Sequence, residues 1–273
     1  MIGVFDSGVG GLSVLRHLRA QLPQADLLYF ADSAHVPYGP RPLLEVRGFA
    51  EAITRFLLDR GAGVIVIACN TASAAALKHL RATMPATPFV GMEPAVKPAA
   101  EHTRTGVVGV LATPATFQGE LFNSVVERFA NGVTVLRQVC PGLVQQIEAG
   151  RLDTPDTEAM LRGWVEPMLR QNIDALVLGC THYPFVIPLL EKICGPEVRV
   201  IDPAPAVARQ TMKVAGEWLR VAGGEGRSAY FTSGDVAGFE RALERLWAER
   251  GAIRGVQWLG DAVRLVMPQS LER

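Results

Sequence analysis

Two segments of this 273-residue chain end alike, with an apolar run, then a cysteine, then a polar turn. They are Val64-Ile65-Val66-Ile67-Ala68-Cys69-Asn70-Thr71 and Ala175-Leu176-Val177-Leu178-Gly179-Cys180-Thr181-His182. Short continuous runs of Val, Ile and Leu predict central parallel strands buried on both faces. Each strand then delivers a thiol and its polar neighbours to its carboxyl end, the edge where open α/β sheets build their sites. Two such thiols from two similar halves predict one reaction centre approached from opposite sides.

The rest of the chain alternates in the same sense. Residues Ile2 to Phe5 read as a strand, followed by the glycine-rich turn Asp6-Ser7-Gly8-Val9-Gly10-Gly11 and a helix over about Leu12 to Leu22, closed by Pro23. Leu27 to Ala31 is a second strand, and a helix ends near Gly61. The Cys69 strand, an Ala-rich helix and a strand at Pro88 to Met92 complete the first series. A second series starts at Gly106 to Leu111, with a single helix through Phe129, a strand at Thr134 to Gln138, helices at Gly142 to Ala149 and Asp156 to Gln171, the Cys180 strand, and Val198 to Asp202. Glu93 to Val96 and Pro203 to Val207 read as equivalent crossings. Asp6 precedes Cys69 by 63 positions and Thr113 precedes Cys180 by 67, which supports a duplication. The tail carries the surface loop Gly223 to Gly226, a strand at Ala229 to Thr232, an amphipathic helix at Val236 to Arg250 and a strand at Val256 to Leu259, and returns to the first half. The fold class is α/β, two similar parallel-sheet domains in pseudo-symmetric arrangement.

Composition narrows the function. Basic and acidic residues balance at 27 each, so nothing favours nucleic acid or a membrane surface as partner. The apolar runs are too short to span a membrane, and the N-terminus opens directly on a strand with no signal core, which predicts a cytoplasmic protein. Four cysteines without a C-x-x-C spacing argue against a disulfide scaffold, a zinc ribbon or a thioredoxin motif; a small buried hydrophobe is the plain alternative for any one of them.

Both thiols precede helix-opening residues, where amide groups favour a thiolate. Two thiols flanking one carbon fit proton removal on one face and return on the other, a stereoinversion that needs no cofactor and no metal. Asp6 and His182 are placed to tune Cys69 and Cys180; the alternatives are an Asx cap for Asp6 and a capping histidine for His182. Glu148 is a further candidate acid, or a solvated helix residue. The glycine-rich turn has Ser13 where a dinucleotide fingerprint needs its third glycine, so its amides read instead as a carboxylate cradle. Ser7, Tyr38, the Gly39 amide, Asn70, Thr71, Thr113, Thr116 and Thr181 supply donors suited to an amino dicarboxylate, with packing as the alternative for Tyr38.

On Gly3-Val4-Phe5-Asp6-Ser7-Gly8-Val9-Gly10-Gly11-Leu12, Val36-Pro37-Tyr38-Gly39, Ala68-Cys69-Asn70-Thr71-Ala72 and Gly179-Cys180-Thr181-His182-Tyr183-Pro184, the chain resembles the bacterial glutamate racemases over nearly its whole length. The resemblance implies two facing α/β domains, 1–95 with 208–273 and an inserted 96–207, and an active site in the cleft between them. It implies Cys69 and Cys180 as acid/base thiols, the first serving D-glutamate and the second L-glutamate. Asp6, Ser7, Tyr38, Gly39, Asn70, Thr71, Thr181 and His182 would line the substrate. Cofactor-free production of D-glutamate for peptidoglycan, and a homodimer, follow from the same resemblance. A residue after Arg41 that is commonly serine is Pro42 here, and Gly142 and Gln145 interrupt an otherwise more apolar segment before Glu148. Aspartate racemases or decarboxylases on the same scaffold, a binding protein that kept the fold and a thiol redox protein are the competing readings.

Overall fold

The computed structural model describes residues 1–222, 224–248 and 251–265. Among the described residues, eleven strands form two sheets. The first joins β1 (Ile2–Asp6), β2 (Leu27–Ala31), β3 (Val64–Ile67) and β4 (Phe89–Gly91) to three strands from the far end of the chain. The second holds β5 (Val107–Ala112), β6 (Thr134–Val139), β7 (Ala175–Gly179) and β8 (Arg199–Ile201). From the far end come β9 (Ser228–Thr232), β10 (Ile253–Leu259) and β11 (Ala262–Leu265), and the spatial order of the large sheet is β11-β10-β9-β2-β1-β3-β4. The small sheet runs β6-β5-β7-β8. Its order repeats β2-β1-β3-β4 strand for strand, which is the structural form of the sequence duplication.

In both sheets the chain moves to one side of its first strand and then returns to the other. Crevices therefore open outside the carboxyl ends of β1 and β3, and of β5 and β7, where ligands bind in sheets of this kind. Phe5 lies opposite Ile67, and Ala112 opposite Gly179, so Asp6 and Cys69 leave the first crevice together while Thr113 and Cys180 leave the second.

Side chains of the strands alternate between faces, as the two-residue period requires. Phe5, Ile65 and Ile67 pack on the outer side of the large sheet, and Val108, Val110 and Val177 on the outer side of the small one. Val4, Val64 and Val66 share a third apolar cluster with Leu111, Leu176 and Leu178, so the inner faces of both sheets belong to one continuous core.

Several sequence expectations need correction. The large sheet is mixed rather than wholly parallel, because β11 pairs antiparallel with β10 through a hairpin at Gly260 that the sequence reading missed. The helix expected through Phe129 is two, Pro114–Gln118 and Glu120–Phe129, broken at an extended Gly119. A Cβ on Gly119 would stand 2.6 Å from that of Ala74, so the halves pack too closely at this break for a side chain. The crossing at Glu93 to Val96 leads into an unexpected helix, Val96–His102. The helix read to Arg250 ends at Trp247, with Ala248 in the left-handed region; 249 and 250 lie outside the described residues, as does Gly223 of the predicted surface loop.

One buried carboxylate joins the early loop to the late strands. Asp32, fully buried just after β2, accepts from Tyr38 Oη at 2.6 Å, Ser233 Oγ at 2.7 Å and Trp258 Nε1 at 2.8 Å, and lies 2.9 Å from His35 Nδ1. His35 in turn stacks on Phe49 with ring centroids 4.0 Å apart. Asp32→Ala strands several buried donors at once, and urea denaturation should show it less stable by about 3 kcal/mol. A change within about 0.5 kcal/mol, the range of an ordinary surface substitution, would show the cluster to be dispensable.

Candidate active site

Ser7, Pro37, Tyr38, Gly39, Cys69, Asn70, Thr71, Thr113, Val144, Cys180, Thr181 and His182 enclose one cavity between the two sheets. Both thiols face it, and it is tight, with about 10 Å³ of water-accessible volume, room for roughly one water. A larger open groove of about 840 Å³ lies between the Leu43–Leu58, Asn70–Thr83 and Glu120–Phe129 helices, but it holds neither thiol. The chemistry-bearing groups converge on the small cavity, and the site is assigned there.

Cys69 is the N-cap of the Asn70–Thr83 helix, and its Sγ accepts from the Ala72 amide at 3.4 Å. Burial nevertheless dominates and, with the nearby Asp6 charge, pushes the Cys69 thiol well above its usual range, against the pull of the Ala72 and Ser7 amides. Asp6 is fully buried behind the cavity wall, its two oxygens accepting from Gly8 N and Thr181 Oγ1 at 3.0 Å each. Burial raises its carboxyl, and the charge of His182 and the Gly8 amide offset part of that. Asp6 thus acts on Cys69 through its field while its oxygens engage the turn and the opposite half.

Cys180 has a different neighbour. Its Sγ lies 3.8 Å from His182 Nδ1, and His182 Nε2 lies 2.6 Å from Glu148 Oε1. Burial pulls the imidazole down, but its bonds to Cys180 and Glu148 and the charges of Glu148 and Asp6 outweigh this and hold it well above the histidine range. One thiol therefore faces a cation and the other a carboxyl.

The glycine-rich turn meets this second set directly. Val9 N donates to Glu148 Oε1 at 2.9 Å. A Cβ on Gly8 would overlap the Glu148 carboxylate, and one on Gly10 would overlap the His182 ring. Two of the turn amides expected to cradle a ligand carboxylate are therefore taken by the protein's own carboxylates, Asp6 and Glu148, a correction to the sequence reading.

The remaining donors divide by layer. Thr71 Oγ1 and Thr113 Oγ1, from opposite halves, are 2.9 Å apart, and Thr116 Oγ1 stands 3.0 Å behind Thr113. Asn70 is buried, and among the described residues its side-chain oxygen and nitrogen have no hydrogen-bond partner. Tyr38 lines the cavity, yet its hydroxyl donates to Asp32, so its hydrogen is not aimed at a ligand. Gly39 abuts Thr113 and its carbonyl accepts from Ala115 N at 3.3 Å. Asp6, Thr116 and Glu148 stand behind the lining rather than in it. Pro37 and Val144, which line it, were not singled out in the sequence; both are apolar and carry no chemical signal. Among the described residues no group of three or more His, Cys, Asp and Glu is arranged to hold a metal ion, and no helix is long and apolar enough to cross a membrane.

The Asp/Glu/Hydantoin racemase family model matches residues 2–211. The chain is 50% identical over 252 residues to a glutamate racemase of Stutzerimonas stutzeri, covering 92% of this chain and 96% of that one. It is 52% identical over 248 residues to one from a Roseiflexus species, covering 90% and 91%. The crystal structure of Escherichia coli glutamate racemase, in complex with L-glutamate and the activator UDP-MurNAc-ala, superposes with a TM-score of 0.83 at 30% identity, covering 95% of this chain and 98% of that one. The chain belongs to the Asp/Glu/Hydantoin racemase family, and within it to the glutamate racemases, which are isomerases.

The raised groups carry a pH signature. His182 binds its proton more tightly folded than unfolded, so its contribution to stability is complete below about pH 6.5 and is lost as pH rises through its folded value. Denaturation across pH 6.5 to 8.5 should show stability falling by at most about 1.4 kcal/mol per pH unit for this one proton. His182→Asn should flatten that slope; an unchanged slope would assign it elsewhere.

Proposed function

We propose that this protein interconverts L- and D-glutamate by a two-base reaction in which Cys180 and Cys69 exchange protons with opposite faces of Cα. The observation that carries the reading is two thiols on one closed cavity, each supplied by the equivalent strand of a duplicated sheet. With L-glutamate bound, the Cys180 thiolate takes the Cα proton, and the electron pair of that C–H bond passes into the α-carboxylate as an enediolate. The Cys69 thiol then gives its proton to the opposite face, leaving D-glutamate, Cys180 as thiol and Cys69 as thiolate. The reverse turnover runs the same steps from Cys69.

The charge distribution supports this assignment of acid and base. His182, held protonated by Glu148, lies 3.8 Å from the sulfur that acts on L-glutamate, so a positive charge faces the base of the proposed reaction. Cys69 is held protonated by burial and by Asp6, as a proton donor in that direction must be. The Cα proton is a weak acid, so the enediolate needs help. Ser7, Asn70, Thr71 and Thr113 are the donors at hand, and removing one such preorganised donor in other enzymes costs about 3–4 kcal/mol. The unpartnered Asn70 amide is the strongest of these, because substrate is the partner it lacks.

The closed cavity is too small for glutamate, so substrate entry requires the halves to part. We infer that the moving units are 1–95 with 208–273, and 96–207, with the Ala204–Ala222 helix at their junction. Glutamate rather than aspartate follows from the named relatives, and supply of D-glutamate for peptidoglycan is the role that fits.

Circular dichroism of L- and D-glutamate with purified protein and no added cofactor should show racemisation. Cys69→Ser and Cys180→Ser should each lower it by about a thousandfold, as loss of a positioned acid or base does. In heavy water, product should carry solvent deuterium at Cα. Inversion that keeps the substrate hydrogen, or full activity in either variant, would refute the mechanism, and faster turnover of D-aspartate would refute the substrate.

A further inference from the structure

We infer that Ser13 is a positioning residue for Cys180 and His182, supplying from the opposite half a hydrogen bond that Pro184 removes locally. The inference deepens the racemase reading and rests on it. Ser13 is fully buried in the first turn of the Leu12–Gln21 helix, among Leu12, Val14, Leu15 and Leu18. A hydroxyl in such company is unfavourable unless it is bonded. Its Oγ donates to the backbone carbonyl of Thr181 at 2.9 Å, across 168 positions of sequence.

The Thr181 carbonyl needs that donor for a local reason. After β7 the chain turns tightly, with Tyr183 N donating to the Cys180 carbonyl and Phe185 N to the His182 carbonyl, both at 3.1 Å. In the same register the Thr181 carbonyl would be served by residue 184. That residue is a proline, which has no N–H. The carbonyl between the thiol residue and the imidazole residue is therefore left without a donor in its own turn, and Ser13 provides one.

The second anchor of Thr181 points the same way, since its Oγ1 donates to Asp6. Thr181 is thus fixed at two atoms by residues on the first sheet's side, with Cys180 and His182 on either flank. Gly10 leaves room for the His182 ring and the Thr181 hydroxyl, both of which a Cβ there would overlap. The serine that spoils the dinucleotide fingerprint is the residue this arrangement uses.

The test is a pair of primary deuterium isotope effects on kcat/KM, from 2-deuterio-L-glutamate and 2-deuterio-D-glutamate, for wild type and Ser13→Ala. The wild-type protein must first racemise glutamate; if it does not, the reading underneath has failed and not this one alone. Ser13→Ala should lower kcat/KM about tenfold in both directions, as expected for a lost hydrogen bond to a buried carbonyl and an equilibrium constant of one. Proton transfer at Cys180 then becomes more rate-limiting, so the isotope effect from the L substrate rises and that from the D substrate falls. Partial misfolding removes active enzyme and leaves both effects unchanged. Pro184→Ala restores an N–H at position 184, and in that background the Ser13→Ala loss should shrink to about threefold, a coupling within the usual range for residues sharing a partner. Unchanged isotope effects, a rise with the D substrate, or a Ser13→Ala loss undiminished by Pro184→Ala would overturn the assignment.

Discussion

Glu148 Oε1 takes a hydrogen bond from the Val9 amide of one half and lies 2.6 Å from His182 of the other, and the order of the site depends on that meeting. A carboxylate largely removed from water is tolerable only with donors on it, and here the donors come from two different sheets. Asp6 repeats the arrangement in reverse, taking one bond from its own turn and one from Thr181 across the cleft. Each half thus completes the polar groups of the other.

The pseudo-symmetry of the sheets does not extend to their electrostatics. Equivalent strands place equivalent sulfurs, but β1 itself ends in the carboxyl of Asp6 while the turn after β7 carries the imidazole of His182. The cation on the Cys180 side and the buried carboxyl on the Cys69 side give the two thiols different surroundings. A duplicated scaffold with unlike neighbours is what the proposed reaction, with opposite roles on opposite faces, requires.

Much of this was legible in the residues. The apolar runs before Cys69 and Cys180 identified the two central strands, because continuous burial leaves that mark on sequence. Strand β11 and the Val96–His102 helix were missed, since short elements of mixed composition owe their state to tertiary packing rather than to periodicity. The glycine-rich turn was read as a ligand cradle, and its amides at Gly8 and Val9 face Asp6 and Glu148 instead. No local rule tells a bound carboxylate from the protein's own. The bonds of Asp32 to Ser233 and Trp258, and that of Ser13 to Thr181, are not legible for a related reason, as those partners lie far along the chain and only the folded structure pairs them.

The Asp32 cluster has a consequence for how the molecule is made. Tyr38 forms one wall of the cavity and is held by a carboxylate whose other donors include Ser233 and Trp258. A ribosome releases the chain from its amino end, so the loop bearing Tyr38 emerges long before those donors exist. Domain-sized pieces of the first half can collapse during synthesis, but this wall acquires its full set of bonds only once Ser233 and Trp258 have emerged. A nascent chain therefore carries both thiols well before it can present them to a finished pocket.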